Sequence, residues 1–253
     1  MPESSLIGLP SSMSASLEQI AEVHHPLVLL TRHSIREEVA GHGFASYALP
    51  LTPHGRQLAQ AWGRHLLEYS GRRIHSCVSS PIQRCVDTAS LMLAGQAELL
   101  GASLSGLPQI AEQALLVEPG SFVHDVQQAG PVFLQQGSLG FINGFLREEI
   151  SGMKRPQHGV RDILQLLHGQ AYADAAPSSE RGIHLAVSHD TILAALLAVM
   201  ARQRAITWAD WPAMMEGVWL WFEGDVFAAS TLNWLWRGVA YQQSVKDLIA
   251  EQA

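Results

Sequence analysis

Cysteine is almost missing from this 253-residue chain. It has two, Cys77 and Cys85, too few for a disulfide framework or a cysteine-built zinc site. Long apolar runs are missing too: the longest, Ile192–Ala201, falls far short of the ~20 residues that span a bilayer, so no membrane span is expected. Charge is sparse at 15% and nets −7, which argues against a general nucleic-acid binder, because phosphate backbones select basic surfaces. Lysine is nearly absent, with Lys154 and Lys246 the only two among 16 basic side chains. The arginine fork suits phosphate and carboxylate oxygens, although coding bias alone gives the same skew. The opening MPESSLIGLPSSMSASLEQ has no basic start followed by an apolar run, so it does not read as a signal peptide, and a cytoplasmic location is the expectation.

What is present is core. Hydrophobic residues make up 47% of the chain, enough for one large domain or a domain with an inserted cap, and too many for a disordered chain. Residues 1–26 are punctuated by Ser and Pro and read as a loose lead-in with one short helix, ahead of a main domain over 27–253. The runs LVLLT (27–31), IHSCV (74–78) and IHLAV (183–187) are short, apolar and without helical spacing, as strands buried on both faces are. Gln109–Val117 reads as a further strand, and 217–236 as two or three more. Thr52-Pro53 has the form of a cap followed by a first-turn proline, opening a helix with Leu58, Trp62, His65, Leu66 and Tyr69 on one face. Ser80-Pro81 repeats that form before Ile82, Cys85, Val86, Ala89 and Leu93. Helices are also expected near 139–150, over 159–168, after residue 190 and after Tyr241. The Gly- and Gln-rich segment of about 119–160 reads as a lid insertion. Alternating strands and helices predict an α/β fold: a layered, mostly parallel sheet with helices on both faces and a small inserted lid.

Three strand ends carry polar residues that a buried sheet does not need: Thr31-Arg32-His33-Ser34-Ile35-Arg36, Ser79-Ser80-Pro81-Ile82-Gln83-Arg84 and Ser188-His189-Asp190-Thr191. Ligands of open α/β sheets sit outside the carboxyl ends of the strands, so all three segments face one crevice. Its three arginines and two histidines suit a dianionic oxyanion, most naturally a phosphoryl group, and the helix beginning at Pro81 adds backbone N–H groups.

In order and spacing, TRHSIR, LTPHGRQLAQ, SSPIQRCVDTA and SHDTILAALL resemble the histidine phosphatase superfamily, also called phosphoglycerate-mutase-like, over about residues 27–200. The resemblance implies a phosphohistidine mechanism with His33 as nucleophile, and Arg32, Arg36, Arg84 and His189 around the phosphoryl oxygens. Ser34 stands where the family usually has glycine, and is small enough to fit. Two carboxylates compete for the general acid. Glu118, in VEPGSF, resembles the acid of the branch that includes the ecdysteroid-phosphate phosphatases, whereas Asp190, in His-Asp-Thr, resembles that of the acid-phosphatase and phytase branch. The implied activity is hydrolysis of a small phosphomonoester without metal or other cofactor. A phosphoglycerate-type mutase and a non-catalytic phospholigand binder on the same fold are the alternatives.

Several residues have blander readings. Cys77 and Cys85 suit small core positions. His24, His25, His54, His65, His158 and His168 have no carboxylate or cysteine at ligand spacing. Six of the seven tryptophans follow residue 207 and read as a covering layer over the sheet, with a pocket wall or a homodimer face as alternatives. Lys154-Arg155 reads as a solvated pair, with a second anion site as the alternative.

Overall fold

The computed structural model describes residues 6–38, 47–117, 120–173 and 182–250. Seven strands form one sheet in the order β3-β2-β4-β1-β5-β6-β7. These are β1 (Leu27–Arg32), β2 (Ile74–Ser79), β3 (Ile110–Glu112), β4 (Ile183–Ser188), β5 (Gly217–Glu223), β6 (Thr231–Trp236) and β7 (Val239–Ser244). The first four are mutually parallel. β5 turns against β1, and β6 turns back again, so five of the seven share a direction.

Successive side chains of a strand face opposite ways, and β1 shows the result. Leu27 and Leu29 enter one apolar layer, Val28 and Leu30 the other, all fully buried. The first layer is roofed by α1 (Ser11–Ile20), α2 (Pro53–Ser70) and α3 (Gln83–Leu100); the second by α4 (Val126–Leu146), α5 (Pro156–Tyr172), α6 (Asp190–Met200) and α7 (Val245–Ile249). α6 is buried over its whole length after Asp190, which explains why its sequence is apolar all round.

Local chemistry sets the helix ends. The Thr52 hydroxyl accepts the Gly55 N–H at 2.9 Å with Pro53 in the first turn, and α2 stops at Gly71, whose φ of 66° is the left-handed stop. Gly63 and Gly95 let α2 and α3 touch backbone to backbone: a Cβ on either would lie 2.0 Å from the other helix's carbonyl oxygen, Met92 O or Gln60 O.

Four expectations are corrected. The N-terminal segment is not loose along α1, because Met13, Leu17 and Ile20 are buried and the Trp219 indole donates to Ser16 Oγ at 2.8 Å. The strand expected over 109–117 ends at Glu112. Gln113 N–H makes a last bond to Ser79 O (2.7 Å), and the chain then tightens into a 3-10 turn at Ala114–Leu116. The second cap-and-proline helix begins later than Pro81, at Gln83, with Ile82 in the cap position. Finally, the segment expected as a lid holds α4 and the start of α5, and Phe122, Phe141, Ile142 and Phe145 root it in the core. In the first half of α4 Val126 and Leu134 are exposed, whereas Ala129 is buried and Val132 and Phe133 pack against the core, and the helix breaks at Gly137 (φ 67°).

Candidate active site

β1, β4 and β2 stop in step. Arg32 pairs with Ser188, and Ser79 with Val187; just beyond, His33 N–H donates to Ser188 O (3.0 Å) and Ser80 N–H to Val187 O (2.9 Å). The same sheet edge therefore receives His33, the turn into α3 with Arg84, and His189 at the cap of α6.

Arg84 joins them. It is 4% exposed, in the first turn of α3. Its Nε–H donates to His33 Nε2 at 2.9 Å, its Nη1 donates to Tyr47 O at 3.2 Å, and its Nη2 lies 3.4 Å from His189 Nδ1. A guanidinium only donates, so both ring nitrogens facing it carry lone pairs. His33 Nδ1 then holds the proton and gives it to the Ser34 carbonyl at 2.8 Å. His189 Nε2–H points to Ser80 Oγ, also at 2.8 Å. Each imidazole is neutral and fixed in one tautomer. Burial, then the charge on Arg84, pushes the His33 pKa well below its ordinary value, with His189 and Arg32 adding to the shift. Burial and then Arg84 lower His189 to about 3. The two rings stand edge to face, 5.5 Å apart.

Arg32 is also buried. Its Nη1 donates to Pro212 O (2.7 Å) and its Nη2 pairs with Asp190 Oδ2 (2.7 Å). Asp190 is the first residue of α6 rather than its cap. Its Oδ1 accepts the Thr191 N–H (2.9 Å), and its Oδ2 also faces the Trp211 indole N–H (3.3 Å). Burial pushes this carboxyl up, but Arg32, the Thr191 N–H and the Trp211 indole together outweigh it and hold the group below the usual carboxylate range. Arg36 is half-buried. Its Nη1 donates to Glu37 O (2.9 Å), and its charge is felt at both Arg32 and Arg84.

Ser34 takes the glycine-like position without left-handed backbone. Its N–H donates to Thr88 Oγ1 (3.0 Å) and its hydroxyl to Gly55 O (2.7 Å). Gly55 is required there, since a Cβ would sit 2.1 Å from Ile35 O.

Glu118 lies outside the described residues. On its N-terminal side the chain is tied to the end of β4, where Ser188 Oγ donates to Leu116 O at 2.7 Å. Lys154 and Arg155 are engaged in ion pairs with Asp162 (3.1 Å) and Glu148 (3.9 Å). Among the described residues, no three His, Cys, Asp or Glu side chains gather as a metal-ligand set, and no helix is long and apolar enough to cross a membrane.

Sequence reasoning did not find Ser80, Trp211 or the carbonyls of Tyr47 and Pro212. Ser80 before Pro81 has the form of a helix cap, but its hydroxyl faces His189. The tryptophans expected as one covering layer divide. Trp219 and Trp234 are buried in opposite layers, whereas Trp211 reaches the site and Trp208, 64% exposed, stands edge-on to it.

The family model of the histidine phosphatase superfamily (branch 1) matches residues 28–133, a stretch that includes His33, Arg36 and Arg84 and ends before His189. No curated protein sequence matches the chain significantly. Among solved structures, the chain is similar to a mycobacterial hydrolase, "hydrolase 2", at 17% identity and TM-score 0.55, covering 88% of this chain and 96% of that one. It is similar to a mycobacterial glucosyl-3-phosphoglycerate phosphatase complexed with VO3 at 16% identity and TM-score 0.51, covering 86% and 96%. It is also similar to the phosphoglycerate mutase of Bacillus anthracis str. Sterne at 14% identity and TM-score 0.50, covering 90% and 96%. These likenesses concern the fold.

Proposed function

We propose, from the premise that residues 28–133 place the chain in the histidine phosphatase superfamily, that it hydrolyses a small phosphomonoester through a phosphohistidine on His33. The observation that carries this reading is the bare Nε2 of His33. The ring is neutral, its tautomer is fixed through Nδ1–H to Ser34 O, and its lone pair points at Arg84. An imidazole is a nucleophile only when unprotonated and presented this way.

Nε2 attacks phosphorus, the N–P bond forms and the bond to the leaving oxygen breaks. That oxygen takes a proton from a general acid. Water then attacks the phosphohistidine and gives its proton to the carboxylate left by that acid, the N–P bond breaks, inorganic phosphate leaves, and His33 and the acid are both restored. Arg84 gives up its hydrogen bond to Nε2 and turns its donors to the phosphoryl oxygens; Arg32, Arg36 and His189 complete the cradle. Transfer of this kind is mainly positioning and charge stabilisation, which a ring of fixed cations supplies. Asp190 is held ionised by Arg32, which makes it a poor donor at neutral pH. We therefore give the acid role to Glu118.

The test is His33→Ala. It is expected to abolish release of inorganic phosphate from p-nitrophenyl phosphate while leaving the circular dichroism spectrum unchanged. In the parent protein, rapid quench with labelled substrate should trap an acid-labile phosphoenzyme. Near-normal turnover in the variant would overturn the mechanism.

A further inference from the structure

Arg237 lies in the turn between β6 and β7, with a left-handed φ of 48°, and takes no part in the strand ends that form the site. Its guanidinium reaches instead to the segment that leads into β5. Nε and Nη2 fork onto the Glu216 carboxylate at 2.8 Å each; Nη2 also donates to Trp211 O (3.0 Å), and Nη1 donates to Ala209 O. The Glu216 side chain is only 4% exposed, and its carboxylate also receives Ala213 N–H (2.9 Å) and the Ser12 hydroxyl (3.2 Å). The guanidinium lies over the Trp236 ring, 4.9 Å from its centre. One side chain thus fastens residues 209, 211 and 216 to the hairpin of β6 and β7.

What that segment holds is the cationic side of the site. Pro212 O fixes Arg32 Nη1, the Trp211 indole meets Asp190 Oδ2, and Glu216 O accepts the Arg32 backbone N–H (2.9 Å). Met215 N–H completes the seam at His33 O (3.3 Å). Of the two polar partners the Arg32 guanidinium has among the described residues, Pro212 O belongs to this segment, and the other, Asp190, is steadied by it through Trp211.

We infer that Arg237 is a positioning residue for the Arg32–Asp190 pair: through the 209–216 segment it fixes the direction in which Arg32 meets phosphoryl oxygen. The inference rests on the phosphatase reading above. Arg32 works by geometry, because a planar fork misplaced by about an ångström loses its oxygen contacts.

The experiment compares orthovanadate affinity by calorimetry, p-nitrophenyl phosphate kinetics and thermal midpoint in the parent protein and two variants. Arg237→Lys keeps a cation beside Glu216 but cannot make the fork and also hold both carbonyls. The double variant Arg237→Met, Glu216→Gln removes the buried charge together with its partner. Both are expected to fold, with Arg237→Lys melting within about 4 °C of the parent. Both should bind vanadate about ten- to a hundredfold more weakly, with a matching rise in KM. A purely structural role would lower the melting point and leave vanadate affinity alone. Parent-like vanadate affinity in Arg237→Lys overturns the proposal while the phosphatase reading stands. A parent protein that neither binds vanadate nor hydrolyses the ester overturns both.

Discussion

At the scale of residues, the site rests on two imidazoles kept neutral by burial and by Arg84, and this has a consequence for stability. An unfolded chain protonates each ring near 6.5, whereas folded His189 resists until about 3, and His33 is shifted the same way. Between those values the unfolded state binds more protons, so stability rises with pH there and falls on acidification. Asp190 adds to the same trend: its lowered pKa lends stability above the usual carboxylate range, lost as pH falls through the folded value. His189→Gln should make the decline of the urea midpoint between about pH 6.5 and pH 4 shallower than in the parent; an unaltered slope would contradict the account. The choice of acid is also a residue-scale matter. Glu118→Gln should cost about 10²–10⁴ in rate with alkyl phosphates and little with p-nitrophenyl phosphate, whose leaving group departs unprotonated. If Asp190→Asn alone shows that dependence, the acid is Asp190. Motif spacing made His33, Arg84 and His189 legible in the sequence. The burial of Arg84 was not, because a charged residue near the start of a helix and off its apolar stripe is ordinarily solvated.

Among the elements, the strands that deliver these residues were the most legible, since β1 and β4 are buried on both faces and read as short, mostly apolar runs, broken in β4 only by His184. α4 was legible only in its second half. Pro131, the glutamines and the break at Gly137 leave its first half without a continuous apolar stripe. β3 was over-read because Leu115, Leu116 and Val117 prolong an apolar pattern that the backbone does not continue as strand. The close crossing of α2 and α3 was not legible at all, because a helical glycine declares its partner only in space. It can be tested: Gly95→Ala forces a methyl against Gln60 O and should cost about 1–3 kcal/mol in urea unfolding. Because α3 carries Arg84 in its first turn, kcat/KM should fall with it. A fully stable and fully active variant would show that the helices part without cost.

For the molecule as a whole, strand order was the least legible level. Alternating patterns predicted a parallel sheet, but no local signal says that β4 lies between β1 and β2, or that an antiparallel wing of β5, β6 and β7 extends the far side. That arrangement has a temporal meaning. β1 and β2 never pair with each other; each pairs with β4, whose residues are made more than a hundred positions later. While the chain is being synthesised, β1 and β2 therefore wait with open edges, and His33 has no Ser188 carbonyl to receive its N–H. No fragment ending before residue 183 can hold the phosphoryl cradle. Such long-range closure is the slow kind of folding step, so the capacity to bind an oxyanion should appear with the last phase of refolding, at the moment β4 enters the gap between its two neighbours.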